Sequence, residues 1–436
     1  MYFFAISTVS LGLAFLPMRI SLLGRILAML TAASAWLYAS ALSAGQPPPG
    51  IGALGRFVSL SDAPLGIEGV TAGMSLALAI LAAFSSRALV RKHRFEGFAV
   101  RLPRWFSYTA LALALFSSLY LALALGVENV LAYSGYGSIK AWREIFAEDA
   151  FGRLVATGFR PLMILVIVLA IANHRSDRWY LCLAMPAVAL ALALGLSEAS
   201  RIVAVYCAAA AISLLLVGRR MLALVALFAV FLSVAYALEA RSQRELGLTY
   251  VPEYLANAFA NEELVADVLT NVSSGLFVTS ASAKVTVPES YGEAYKVLSF
   301  LPTIDLVDGF QAAKAQFEQR VLSYIPFNAF AEAALFGPLY WALFWLILAG
   351  AALSVNSSIR YGTLPFLALL CLFCLGWIFA SQYPVRNCLR YFYALFLLRA
   401  ALPYLDRWWR RRAVRAAARA KSLPPSVLDR GSLATR

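Results

Sequence analysis

Long apolar runs separated by short polar or arginine-rich connections organise this chain. Eleven of them approach the roughly 20 residues needed to cross the hydrocarbon core of a bilayer. They cover 2–18, 21–44, 68–86, 105–126, 154–173, 179–196, 202–217, 221–239, 332–354, 362–382 and 387–404. In lipid every peptide group must find its partner within the chain, so each run is predicted to be an α-helix. The expected fold is an all-α polytopic membrane protein with about 11 transmembrane helices, a single bundle over 1–404 followed by a basic tail over 405–436.

Composition supports that class. Of 436 residues, 61% are hydrophobic and 14% charged, whereas soluble domains are about 45–50% apolar and about a quarter charged. The net charge of +14 would suit a nucleic-acid binder, but its distribution does not. The basic residues crowd short connections: Arg87, Arg91, Lys92, Arg94, Arg101 and Arg104, then Arg175 and Arg178, then Arg219 and Arg220, then Arg360. The tail adds Arg407, Arg410, Arg411, Arg412, Arg415, Arg419 and Lys421. If eleven helices alternate, all of these share one side, which the positive-inside rule makes the cytoplasm. The expected partner is therefore the lipid bilayer and not nucleic acid, with the N-terminus outside and the tail inside. The first run has no leading positive charge and reads as a retained helix and not a removed signal. Five cysteines lie in or beside apolar runs; Cys371 and Cys374 read as a packing pair, and the large outer loop has none to form a disulfide framework.

The opposite face carries three longer connections. Residues 45–67, with Pro47, Pro48 and Pro49, read as irregular. Residues 127–153 hold Tyr133, Tyr136, Lys140, Trp142, Arg143, Glu144 and Asp149, a mixture expected of an amphipathic helix on the membrane surface. Residues 240–329 form a large periplasmic loop between the eighth and ninth spans. Within it, helices are predicted over 252–270 and 308–322, with loop and an extended piece over 273–302. Residues 421–436 read as a disordered polar end.

No phosphate-binding glycine loop, dinucleotide fingerprint or His/Glu metal constellation is present, so neither cofactor nor metal is expected. The two histidines, His93 and His174, fall in cytoplasmic connections. Carboxylates are scarce inside the runs, which disfavours a proton-driven pump. What remains is a set of arginines at the outer ends of the spans. Arg201 follows Ser197-Glu198-Ala199-Ser200, Arg160 precedes Pro161, and Arg386 and Arg390 share one face at the start of the last span. Arg320 is expected to end the returning helix of the large loop. Asn328 and Glu332 mark the start of the ninth span, and Tyr383 lies close to Arg386.

A guanidinium at such a depth is costly unless it meets an anion or a watery cavity. Arginine also suits bidentate capture of phosphate oxygens. Taken singly, each arginine is explained as well by snorkelling, Glu332 by an ion pair with one of them, and Glu198 by a local pair with Arg201. Taken together they point to a diphosphate ligand on the outer side.

Three stretches carry a likeness to a known family: SEASRIVAVYCAAAA from Ser197, SYIPFNAFAEAALFGPLYW from Ser323, and YPVRNCLRYFYALFLL from Tyr383. In their order and placement over about 150–404 they resemble the O-antigen polymerase (Wzy) family of oligosaccharide repeat-unit polymerases. The related O-antigen ligases are nearly as similar, but carry a histidine where this chain has Phe327-Asn328. The resemblance implies a GT-C-like, multi-pass glycosyltransferase of the bacterial inner membrane with its site facing the periplasm. It would join undecaprenyl-diphosphate-linked oligosaccharide units, with a chain-length regulator as a further partner. The expected reaction is inverting and metal-independent. Arg160, Arg201, Arg386, Arg390 and Arg320 are assigned to the diphosphate, with Arg201 also catalytic. Glu332 is assigned as the base, and Tyr291, Tyr383 and Asn328 to the glycan. Ligase and lipid-linked oligosaccharide flippase are the alternative readings; a flippase would want charged residues lining a path at mid-membrane depth, where these spans are apolar.

Overall fold

The computed structural model describes residues 1–16, 20–85, 104–134, 146, 149–173, 177–243, 245–285, 292–301, 316–322 and 325–421. The helices are α1 (Tyr2–Phe15), α2 (Leu22–Ala44), α3 (Ile67–Phe84), α4 (Arg104–Leu125), α5 (Val127–Leu131), α6 (Ala150–Asn173), α7 (Arg178–Ser197), α8 (Ile202–Leu216) and α9 (Arg220–Ser242). There follow α10 (Val251–Ala260), α11 (Leu264–Ser273), α12 (Gly275–Ala283), α13 (Glu293–Ser299), α14 (Ala329–Leu335), α15 (Pro338–Ser358), α16 (Thr363–Gln382) and α17 (Val385–Lys421). Short 3-10 helices lie at Pro49–Arg56, Leu248–Tyr250 and Ile359–Tyr361, and two small antiparallel pairs join β1 (Tyr133–Ser134) with β2 (Glu245–Leu246), and β3 (Arg320–Leu322) with β4 (Ile325–Pro326).

Among the described residues nine helices are long and apolar enough to cross a membrane, or ten if Leu264–Asn271 and Gly275–Ala283 make one broken span. The chain is thus an all-α polytopic membrane protein. Each of the eleven expected runs coincides with a helix. Two of them, Tyr2–Phe15 and Ile202–Leu215, are apolar but shorter than the other nine.

Several local expectations are corrected. The ninth span begins at Pro338, not at 332: Gly337, at φ +110°, breaks the chain and leaves α14 as a separate short helix. That backbone region is open to glycine and strained for other residues. Arg320 does not end a helix; it opens the strand β3, whose partner is β4. The first part of the expected 308–322 helix, up to 315, lies outside the described residues. The 273–302 loop contains two helices, α12 and α13. Every residue of α12 from Gly275 to Ser282 is buried, so packing overrides the weak helix preference of its Ser, Thr and Val residues. The 252–270 helix is broken at Asn261 into α10 and α11. Of the surface helix expected over 127–153, the described part holds α5, β1 and the start of α6, and 135–145, 147 and 148 lie outside the described residues. The tail is helical as far as Lys421, because α17 continues through it. His93, His174, Tyr136, Lys140, Trp142, Arg143 and Glu144 lie outside the described residues, as does 422–436.

The chain divides into two compact units. A terminal unit comprises Met1–Ala35, Ser61–His93 and Gly275–Arg436; a central unit comprises Trp36–Leu60 and Arg94–Ser274. In the terminal unit α14 is a hub, packed against α3, α12, α15, α16 and α17. Its residues Ala329 to Ala333 are all buried. In the central unit α8 packs on α9 and α6, and α4 on α6 and α7.

Asn328 fixes the hub. It is 0% exposed, and its Oδ1 accepts from the Ala331 N–H at 2.9 Å, capping α14. Its Nδ2 donates to the Gly275 carbonyl (2.8 Å) and Thr279 Oγ1 (2.9 Å), tying α14 to α12. The expectation that Asn328 touches glycan is not met, because its polar atoms are engaged inside the protein. Replacing Asn328 with alanine removes a cap worth about 1 kcal/mol and the two Nδ2 bonds that tie α14 to α12, each worth about 0.5–1.5 kcal/mol. Thermal unfolding of the purified Asn328→Ala protein in detergent is expected at a clearly lower temperature than wild type.

Candidate functional site

The link between α7 and α8 is built as a helix-terminating Schellman turn. The Ala199 N–H donates to the Leu196 carbonyl and the Ser200 N–H to the Gly195 carbonyl, each at 2.9 Å. That double bond requires a left-handed residue after the last helical turn. Ala199 takes the place at φ +48°, and it is the one non-glycine residue with positive φ among those described. Glu198 is therefore fixed as the C-cap of α7 and Arg201 as the residue that opens α8.

Glu198 is only 8% exposed. Its Oε2 lies 3.7 Å from Arg160 Nη2, and the Arg160 side chain is 50% exposed. Arg160 enters from α6, about 9 Å along the axis from Leu154 at 1.5 Å per residue. The structure thus pairs Glu198 with Arg160, where a pair with Arg201 was expected. Burial pushes the Glu198 carboxyl up to about 8, against the opposing pull of Arg160. Two phenols interact electrostatically with this pair. Tyr206, on α8 and 1% exposed, lies within electrostatic reach of both Arg160 and Glu198, and Tyr133 within reach of Glu198. Neither hydroxyl has a hydrogen-bond partner among the described residues. Burial, reinforced by the Glu198 charge, raises the pKa of Tyr133.

Tyr133 is held in place by sequence-distant contacts. It pairs with Leu246 across β1 and β2, and Thr249 Oγ1 donates to the Leu131 carbonyl at 2.9 Å. Gly247, at φ +127°, allows this approach; a Cβ there would stand 2.3 Å from the Leu131 carbonyl oxygen. The Tyr254 hydroxyl donates to the Glu245 carbonyl, and the Tyr236 hydroxyl to the Leu196 carbonyl, both at 2.7 Å. Tyr133 and Leu196 then pack on a buried cluster that includes Ala199, Tyr236, Leu246 and Tyr254.

The terminal unit holds the remaining expected site residues. Glu332 is 1% exposed and makes no ion pair among the described residues. Its Oε1 accepts from the Tyr295 hydroxyl at 2.8 Å and its Oε2 from the Val385 N–H at 2.7 Å. A carboxylate there satisfies one of the unpaired N–H groups that open α17 and meets the positive end of its dipole. Burial nevertheless pushes Glu332 up to about 7. Arg386 and Arg390 lie on the first turns of α17. Arg390 is exposed and folds back on Asn387, donating to its carbonyl and to its Oδ1, each at 3.0 Å. Arg320 forms a 3.5 Å ion pair with Glu318. Tyr383 stacks on Phe379 with ring centroids 5.1 Å apart. Tyr291 lies outside the described residues. Arg160 and Arg201 thus belong to the central unit, and Arg320, Arg386 and Arg390 to the terminal one.

Chemically, Glu332 has both oxygens engaged by the fold, whereas no hydrogen bond from a described residue reaches the Glu198 carboxyl. The sequence alone presents Glu198 as a local ion-pair partner and gives no sign that Tyr133 and Tyr206 carry unpaired hydroxyls. The signal available was a glutamate at a helix C-terminus, where the dipole disfavours negative charge. No family model, curated relative or solved structure matches the chain.

Two outcomes are expected. Gly247→Ala strains the backbone and drives a Cβ into the Leu131 carbonyl, so limited proteolysis is expected to cut faster between β2 and α10 than in wild type. Glu332 carries a raised folded pKa, so the folded state keeps a proton that the unfolded chain releases. Its contribution is therefore most favourable below about 4.5, declines as pH rises, and is lost above about 7. Melting temperatures measured from pH 5 to 8 are expected to fall less steeply in Glu332→Gln than in wild type.

Proposed function

We propose that this chain is a membrane glycosyltransferase that extends lipid-diphosphate-linked oligosaccharides, an inner-membrane polymerase of GT-C-like architecture whose site faces the periplasm. The observation that supports it most is the Arg160–Glu198 pair beside Arg201. A half-exposed guanidinium and a buried carboxyl meet where two apolar helices end. An ion pair is an uneconomical way to hold helices together, because desolvation offsets most of its Coulomb gain. Positioned cations beside a reachable carboxyl do suit the departure of a diphosphate.

In this reading Arg160 and Arg201 hold the diphosphate of the donor lipid, and their charge offsets the negative charge developing on the leaving oxygen. Within the terminal unit, Arg320, Arg386 and Arg390 keep their assignment to a lipid diphosphate, and Tyr383 and Tyr291 theirs to sugar. Glu332 passes from base to anchor, since its oxygens are occupied. The expected ligand is an undecaprenyl-diphosphate-linked oligosaccharide, with a chain-length regulator as a prospective partner.

A gel of lipid-linked glycans from a strain lacking the protein tests the reading. Accumulated single units support a polymerase. Full-length polymer left undelivered on its lipid indicates a ligase, and units retained on the inner leaflet indicate a flippase. Arg201→Ala and Arg160→Ala, present in the membrane at wild-type level, are each expected to lower the rate of chain extension by about 10²–10³-fold. Normal chain lengths in both variants would remove the pair from the site.

A further inference from the structure

We infer that Glu198, together with the hydroxyls of Tyr133 and Tyr206, seats the attacking sugar hydroxyl, and that the Glu198 carboxylate takes its proton. The inference rests on the transferase reading above and names the group within that site that does the acid–base work.

Three observations carry it. First, the buried hydroxyls of Tyr133 and Tyr206, both within electrostatic range of Glu198, have no hydrogen-bond partner among the described residues. A buried hydroxyl left unpaired is destabilising, and a ligand rich in hydroxyls restores the missing bonds. Second, the Glu198 carboxyl receives no hydrogen bond from any described residue, and its ion pair with Arg160 is a loose 3.7 Å. An oxygen remains for an incoming O–H. Third, the carboxylate sits at the C-cap of α7, beside the negative end of the helix dipole, inside a Schellman turn that specifies its direction. Local physics opposes a glutamate there. A residue that breaks local rules without a structural return marks a functional position. Glu332 is the contrast: at a helix N-terminus, doubly bonded, and explained by the fold alone. Burial also makes Glu198 a stronger base than an ordinary carboxylate, which brings it closer to the operating pH of a general base.

The step balances as follows. The acceptor O–H bond breaks and its proton passes to the Glu198 carboxylate. The freed oxygen pair forms the new bond to the anomeric carbon. The bond from that carbon to the donor's diphosphate oxygen breaks, and its electron pair leaves on the released prenyl diphosphate, beside Arg160 and Arg201. Glu198 then returns the proton to solvent.

The test uses the purified full-length protein in detergent and lipid-linked single units extracted from the deletion strain. Wild type is expected to lengthen these units, with a rate that rises as pH increases through the region of pH 8. Glu198→Gln is expected to be slower by about 10²–10⁴-fold while still co-migrating with the lipid-linked units. Glu198→Asp is expected to recover part of the rate with a shifted pH profile. Tyr206→Phe is expected to raise KM about tenfold or more, the loss of one good hydrogen bond, and it serves as the deciding variant should Glu198→Gln fail to fold. Elongation by Glu198→Gln at the wild-type rate would overturn the inference and leave the transferase reading standing, as would unchanged kinetics in Tyr206→Phe when that variant decides. A wild-type protein that does not lengthen the units would overturn both.

Discussion

Every peptide group at a helix end in this chain has to find a partner in surroundings that offer little water, and the architecture follows from how that is met. The end of α7 closes on itself through the Ala199 and Ser200 amides. The start of α14 is closed by Asn328, and the start of α17 by the carboxylate of Glu332. In lipid an unpaired group costs several kcal/mol. These caps therefore decide where helices stop and which side chains stand next to the stops. Arg201 and Glu198 owe their positions to one such closure, and Arg386 to another.

The two buried glutamates show how one residue type serves two ends. Glu332 is placed where a helix dipole welcomes negative charge, and it receives two hydrogen bonds. Glu198 is placed where the dipole resists it, and it receives one distant guanidinium. The first arrangement stabilises a junction. The second shelters a carboxyl from bulk water, within electrostatic range of two phenols whose hydroxyls have no partner among the described residues.

Much of the fold was legible because crossing a bilayer demands about 20 apolar residues in succession, and such runs are visible without any knowledge of contacts. Nine of the eleven expected runs correspond to helices of spanning length. What failed depends on distance along the chain. The fate of Glu332 is set by Tyr295 and Val385, 37 and 53 positions away. Tyr133 owes its place to a pairing with Leu246, which no local pattern announces. The helix at Gly275–Ala283 has Gly, Ser, Thr and Val in most places, and its burial from Gly275 to Ser282 overrides that weak preference. The break at Gly337 was readable, since Gly-Pro punctuates a chain, but the apolar run across it hid the stop. At the site, the arginines stood out because charge in an apolar frame is conspicuous. The tyrosines did not, because a phenol in such a frame looks like packing until its hydroxyl is found without a partner.

The last helix is 37 residues long, about 55 Å at 1.5 Å per residue, whereas the hydrocarbon layer is about 30 Å thick. Some 25 Å of it must therefore tilt within the layer or project beyond it. Its opening turn is bolted to the hub through Glu332, and only Pro403 interrupts the rod. A small swing at the bolted end becomes a large sweep at the far one. The arginine-rich stretch of this helix is in effect a pointer, its bearing set by the packing of α17 along α16 and α15 and by the carboxylate at its opening turn.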